Sequence, residues 1–262
     1  MNKVAVICQG GLGDNIIYAA RLKSLLNKYQ ADKADFYLVV RNIYPAVLDM
    51  IIDFLEAQDT VDSVFYYNNI EGSGYKAVVD WTADNAPREY PIEPKWKAQY
   101  DSTKEYWADL ILGKAGDNPI TFYPYTMGSN PNNEHEKYIR SPKEDWWLGL
   151  FEAVKKAGGS PIVLGGPNER IGWNSPNVVE AYSDIDDWMH NIPLLYKIKA
   201  HIGIASWPWQ LTHYAGEVDT CVIWTNNNFW IDRSVSEDQS KLHIFQTVPT
   251  YEEIISKIGV LK

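Results

Sequence analysis

The sequence predicts an α/β chain made of two parallel-sheet halves, on three observations. Short continuous apolar runs alternate with segments of helical periodicity; the pattern breaks near residues 114–119 and then restarts; and two apolar runs, 4–9 and 161–166, lead into glycine clusters. A short unbroken apolar run suits a strand buried on both faces, and strands alternating with helices imply βαβ units.

"VAVICQ" (4–9) reads as the first strand. After the glycines, Ile16, Ile17, Ala19, Ala20, Leu22, Leu25 and Leu26 recur at helical spacing. "DFYLVV" (35–40) reads as a strand, "AVLDMIIDFL" (46–55) as a helix, and "VDSVFYY" (61–67) and "YKAVVDW" (75–81) as strands. Residues 82–99, rich in proline and charge, read as a long loop. "STKEYWADLIL" (102–112) reads as a helix and "ITFYPY" (120–125) as a strand that leads into a polar loop. Ser141, Pro142 and Glu144 predict a capping box, and Trp146, Trp147, Leu150, Phe151 and Val154 give the following helix an apolar face. "PIVLGG" (161–166), "HIGIA" (201–205) and "TCVIWT" (220–225) read as strands, "IPLLYKIKA" (192–200) and "WQLTHYAG" (209–216) as short helices. Thr250 and Glu253 cap the last helix. The boundary divides the chain into 1–117 and 118–262.

The composition is that of an ordinary globular protein, with 45% hydrophobic and 22% charged residues among 262. A net charge of -10 argues against broad nonspecific binding to nucleic acid or anionic membrane. Cys8 and Cys221 sit in apolar runs and read as reduced core residues, which fits a cytoplasmic location. The N-terminal residues lack a signal-peptide pattern, and no apolar run reaches a membrane span. Eleven Trp and seventeen Tyr are many for this length; aromatics pack cores and also line sugar and base pockets.

The first glycine loop carries the chemistry. Glycines between strand and helix let a ligand approach the backbone, and the helix N-terminus attracts anions. A dinucleotide fingerprint fits poorly: Gly11 and Gly13 supply the first two glycines, but Ile16 stands at the third position. Asp14 puts a negative charge where a pyrophosphate would lie, and no Gly-Lys-Ser/Thr follows. An acid at this place reads as a base or hydroxyl-binding group facing a cleft, or as a helix cap.

The order of motifs resembles the heptosyltransferase-like glycosyltransferases, the lipopolysaccharide heptosyltransferases and their relatives. "GGLGD" resembles their N-terminal Gly-Asp loop, "LGGPNE" their Gly-Gly-x-x-Glu turn, and "SWPWQL" (206–211) stands at their Asp-Ser-Gly-Pro-x-His segment. Ser206 takes the place of the family Asp and Leu211 that of the family His, with His213 two residues on. Lys137 and Arg140 precede the capped helix, without the family's Lys-x-Trp order.

The resemblance implies a GT-B architecture: two Rossmann-like parallel-sheet domains facing a central cleft, the acceptor on 1–117 and a nucleotide-diphosphate sugar on 118–262. It implies a hexosyl-, pentosyl- or heptosyltransferase that needs no metal and no cofactor beyond its sugar donor. Asp14 would be the base, with Gly11 and Gly13 opening its loop. Lys137 or Arg140 would meet the diphosphate, or each is a surface charge. Gly165, Gly166 and Glu169 would lie under the nucleoside, with Glu169 taking ribose hydroxyls, or form a plain turn. Ser206 and Trp207 would sit near diphosphate or sugar. His213 is a donor contact or one face of a core helix, and Ile185 and Trp188 meet the base or pack the core. "DIDD" (184–187) reads as solvated rather than as a metal motif. Among acceptors a glycan or lipopolysaccharide is favoured over protein or modified nucleic acid. The alternatives are a non-catalytic nucleotide- or sugar-binding module and an NAD-linked enzyme on a similar fold.

Overall fold

The computed structural model describes residues 2–40, 45–68, 70, 74–82, 89–124, 141–165, 179–182, 188–223 and 234–261. The first half contains β1 (Lys3–Cys8), α1 (Leu12–Tyr29), β2 (Lys33–Leu38), α2 (Pro45–Glu56), β3 (Val61–Tyr66) and β4 (Val78–Asp80). These strands form one parallel sheet in the order β3-β2-β1-β4. After α3 (Lys104–Ala115) the second half follows: β5 (Pro119–Tyr123), α4 (Glu144–Lys156), β6 (Ser160–Gly165), β7 (Val179–Tyr182), α5 (Asn191–Lys197), β8 (Ala200–Ile204), α6 (Trp207–Ala215), β9 (Asp219–Ile223), β10 (Leu242–Phe245) and α7 (Tyr251–Ile255). Its sheet is also parallel, ordered β10-β9-β8-β5-β6-β7. Counted from its own first strand, that is the 3-2-1-4-5-6 order of a dinucleotide-type doubly wound sheet, and the first half repeats its 3-2-1-4 part. Both halves therefore carry a switch point, between β1 and β4 and between β5 and β8, where successive connections leave in opposite directions.

The unbroken apolar strands are buried as their sequence requires: every residue of β8 and of β9 is inaccessible or nearly so. One core covers the first half and continues into the second through Ile162, Leu164, Trp188, Leu195, Leu211 and Tyr214. A second core lies on the far face of the second sheet, where Trp147, Leu150, Phe151 and Val154 of α4 meet Ile120, Phe122 and Ile202. Cys8 and Cys221 are free and buried, one in each sheet. α3 precedes β5 in sequence and packs on β6, β7 and α5.

The connection at 89–103 has no regular structure and is tied to both halves. The Glu93 amide donates to Ala20 O at 3.1 Å, and the Arg21 guanidinium donates to Tyr90 O. Further on, the Ala98 amide donates to the Tyr196 hydroxyl at 2.8 Å, and Lys97 pairs with Glu217 at 2.8 Å. Gln58 and Gln99 exchange hydrogen bonds, side chain to backbone, at 3.0 and 3.3 Å.

One helix start differs from expectation. α4 begins at Glu144 with Lys143 at the N-cap and no side-chain cap. The Ser141 hydroxyl instead donates to Pro124 O at 2.5 Å and accepts from the Trp147 indole at 3.0 Å. A buried indole N–H is costly to leave unpaired, and Ser141 supplies the partner here. At α7 the capping box forms as expected: the Thr250 hydroxyl accepts from the Glu253 amide at 3.2 Å, and the Glu253 carboxylate accepts from the Thr250 amide at 2.7 Å.

Two buried histidines make the fold acid-sensitive. His201, on β8, shares a 3.0 Å hydrogen bond with the Thr121 hydroxyl of β5, and burial pushes its imidazole down to about 3. His213, on α6, accepts from the Ser236 amide at 3.0 Å, and burial pushes it down to about 4 against the weaker pull of Asp238. In the unfolded chain each titrates near 6.5. Stability is therefore full above about pH 6.5 and falls as pH drops towards 3–4, because only the unfolded state takes up these protons. Each responding histidine contributes about 1.4 kcal/mol per pH unit in that window. Melting curves between pH 7.5 and 4.5 should show this loss, with a shallower slope in His201→Asn.

Candidate functional site

The glycine loop after β1 is held by the helix it introduces. Gly10 has φ +113, in the left-handed half of backbone space, which favours glycine. The Asn15 amide, fully buried, donates to Gly11 O at 2.9 Å and Gly10 O at 3.4 Å, and its oxygen lies 3.6 Å from the Cys8 sulfur. The Tyr18 hydroxyl bridges Gln9 O at 3.2 Å and Trp81 O at 3.1 Å, joining the ends of β1 and β4 across the first switch point. Asp14, in the first turn of α1, accepts from the Gly11 amide at 2.9 Å. Burial, with the Asp14 charge as a second cause, pushes the Cys8 thiol far above its usual range, so it is inert as a nucleophile.

The second switch point faces this loop. Ser206 is the N-cap of α6 in extended conformation, its hydroxyl makes no capping hydrogen bond, and a proline follows in the first turn. The half-buried Trp207 ring meets Tyr123 edge-on at 5.8 Å and Trp188 edge-on at 4.9 Å. Trp188 reaches across to the first half, its indole donating to Met50 O of α2 at 3.3 Å while its ring lies 5.7 Å from Phe54. α6 packs against α1, and Gln210 meets α1 at Gly13: a Cβ there would lie 3.0 Å from Oε1 of Gln210.

The structure thus brings Gly11, Gly13 and Asp14 to the same end of the molecule as Ser206 and Trp207. Gly165 closes β6 at the C-terminal edge of the second sheet, paired with Tyr182. His213 lies deeper on α6, stacked on Trp209 and bonded to Ser236. Lys137, Arg140, Gly166, Glu169 and Ile185 lie outside the described residues, as does the "DIDD" segment. Sequence reasoning missed two residues of the site, Asn15 and Gln210. Both are amides inside otherwise apolar helical stretches, and that mismatch was the available signal. Among the described residues no helix is long and apolar enough to cross a membrane.

Comparison with known proteins places the fold. No family model matches the chain, and no curated protein matches it. Among solved structures, the chain is similar to the ADP-heptose LPS heptosyltransferase II of Escherichia coli, with a TM-score of 0.65 at 9% identity over 99% of this chain and 98% of that one. It is similar to a family 9 glycosyltransferase from Veillonella parvula, with a TM-score of 0.65 at 12% identity, covering 100% and 92%. A third likeness is to TibC, an iron-containing dodecameric glycosyltransferase of E. coli H10407, with a TM-score of 0.54 at 10% identity, covering 95% and 62%. The fold is the two-sheet α/β arrangement of these GT-B proteins, in line with the resemblance of the motifs.

The loop geometry yields a direct test. A Cβ on Gly10 would come within 2.3 Å of Asp14 Oδ2 in a backbone conformation that L residues avoid. Gly10→Ala should cost about 1–3 kcal/mol of stability, read from denaturant unfolding. The same substitution at Gly11, where nothing lies within 4 Å, should cost less.

Proposed function

We propose that the protein is a glycosyltransferase that moves a sugar from a nucleotide-diphosphate sugar to an acceptor hydroxyl. One observation carries the reading: the Asp14 loop at the first switch point faces the α6 N-terminus at the second, across halves whose fold matches two glycosyltransferases over nearly the whole chain. Ligands of open α/β sheets bind outside the carboxyl ends of strands at switch points, and here the helices that leave the two switch points, α1 and α6, pack on each other. The nucleoside diphosphate belongs on 118–262 and the acceptor on 1–117.

In this reading Asp14 is the base. It takes the proton of the acceptor hydroxyl as that oxygen attacks the anomeric carbon; the bond from that carbon to the diphosphate breaks, and the nucleoside diphosphate leaves with the electron pair. Lys137 and Arg140 stabilise the growing charge together with the α6 N-terminus beyond Ser206, so no metal is required. Gly165, Gly166 and Glu169 cradle the nucleoside, with Ile185 near its base. Trp207 offers its half-buried face to the sugar or diphosphate, and His213 supports the α6 end through Ser236. Heptosyltransferase II is named for a lipopolysaccharide substrate, and that likeness favours a glycan or lipopolysaccharide acceptor over protein or nucleic acid.

Asp14→Asn tests the base. Asn keeps an oxygen to accept the Gly11 amide, so folding and donor binding should survive while transfer falls by roughly 10²–10⁴. Turnover within a few-fold of the parent, on a variant with an unchanged melting curve, would defeat the assignment. The reading also expects transfer to persist in excess EDTA; full loss that Mg²⁺ or Mn²⁺ restores would overturn the metal-free mechanism. A nucleotide-sugar panel identifies the donor, since a ligand at ~100 times its Kd adds ~2.7 kcal/mol of stability.

A further inference from the structure

Gln210, at the junction of the two halves, carries a buried amide oxygen that no group among the described residues satisfies. The residue is 6% exposed, its Oε1 has no hydrogen-bond partner, and among the described residues none engages its Nε2. Its neighbours on α6 are apolar or internally bonded: Leu211 is buried in the core, and the Thr212 hydroxyl bonds back to Trp209 O at 3.1 Å. Asn15, a buried amide on the facing helix, is fully employed in holding the glycine loop. Buried amides without partners are rare in native proteins because their desolvation goes uncompensated.

The place to which Gln210 points is distinctive. Its Oε1 lies against Gly13, in the first turn of the 18-residue α1. The amides of that turn have no intrahelical acceptors, and Gly11, at the N-cap, has no side chain to cap them. An anion would suit such a turn if it stood alone, but the Asp14 carboxylate is already in it. A negatively charged group would be repelled there. A neutral group that both donates and accepts hydrogen bonds is not, and an alcohol oxygen is the smallest of that kind.

We infer that the Gln210 amide and the first turn of α1 form a subsite for a hydroxyl of the transferred sugar, distinct from the diphosphate site. The inference rests on the glycosyltransferase reading and deepens it. The Gln210 oxygen accepts from the sugar hydroxyl, whose own oxygen accepts from the helix. A Cβ on Gly13 would come 3.0 Å from the Gln210 oxygen, so a side chain there would push the amide from this position.

The test uses Gln210→Met, which keeps an unbranched chain and removes both polar atoms, with Gln210→Leu as a second variant. Calorimetry measures binding of UDP-glucose, UDP-N-acetylglucosamine, GDP-mannose, dTDP-rhamnose and ADP-heptose, and of the free nucleoside diphosphates, to parent and variants. The expected result is that the best-bound nucleotide sugar loses about three- to tenfold in affinity, the value of one hydrogen bond, while its nucleoside diphosphate changes less than about twofold. The melting temperature of the ligand-free variants should hold or rise, because an uncompensated amide has gone. Equal losses for nucleotide sugar and nucleoside diphosphate, or none for either, overturn the subsite and leave the glycosyltransferase reading standing. A clear fall in melting temperature, or failure of both variants to fold, assigns the amide to structure and overturns it as well. If the parent binds no nucleotide sugar better than the matching nucleoside diphosphate, the subsite falls. If it binds neither, the functional reading falls with it.

Discussion

The packing of α1 against α6 is the contact on which the rest of the molecule depends. α1 lies between its own sheet and a helix of the other half, so residues 15–22 are all buried, Asn15 and Arg21 included, while Lys23, Asn27 and Lys28 further along reach solvent. Polar side chains within the buried stretch need partners inside the protein. Asn15 is spent on the glycine loop, and Arg21 on the backbone of the connection at Tyr90. The absence of a side chain at Gly13 leaves room for the Gln210 amide between the two helices. From the helix packing follow a core continuous between the halves and the facing of the two switch points. The connection at 89–103 reinforces the contact without creating it, since its ion pairs are exposed and worth little individually.

The same packing makes the cap that Asp14 forms compatible with the base role proposed for it. As a cap it is fixed by the Gly11 amide, which sets the direction of the carboxylate before any substrate arrives. A general base gains from such preorganisation, because orienting it during the reaction would add to the barrier. Capping and the proposed base role therefore do not compete for this residue; they differ in what a neutral amide can do in its place.

Much of this architecture was legible in the sequence because its physical causes are local. Unbroken apolar runs marked the strands of both sheets, since a parallel strand buried on both faces has no room for alternation. The capping box at Thr250 was readable for the same reason. β7 and β10 escaped notice: each is four residues long, and β10 mixes polar with apolar residues at the sheet edge, so neither makes an unbroken apolar run. Ser141 misled because the signature of a cap is also that of a serine two residues upstream of it, and a buried indole several residues away decided which it was. The site was legible where it rests on glycine and acid after a strand, as at Gly11, Gly13 and Asp14. It was opaque at Gln210, whose meaning comes from a helix some two hundred residues earlier in the chain.

The many aromatic residues divide by the same logic of distance. Trp147 and Trp81 are fully buried, with Trp147 bonded to Ser141 and Trp81 packed between Tyr18 and Tyr90 beneath the first switch point. Trp188 spans the halves, anchored on α2 and pressed against Trp207. Trp207 alone among these four is half-buried, and it stands at the start of α6, one turn before Gln210. The half-buried indole of Trp207 is thus backed by a buried one, Trp188. Trp188 holds it from behind and is held in turn by the first half, so the position of the half-buried ring is tied to the relation of the two sheets. A bulky ring fixed this way costs little entropy when a ligand arrives, because its freedom was lost on folding. Composition alone could not distinguish the supporting rings from the supported one; the register of α6 against the second switch point does.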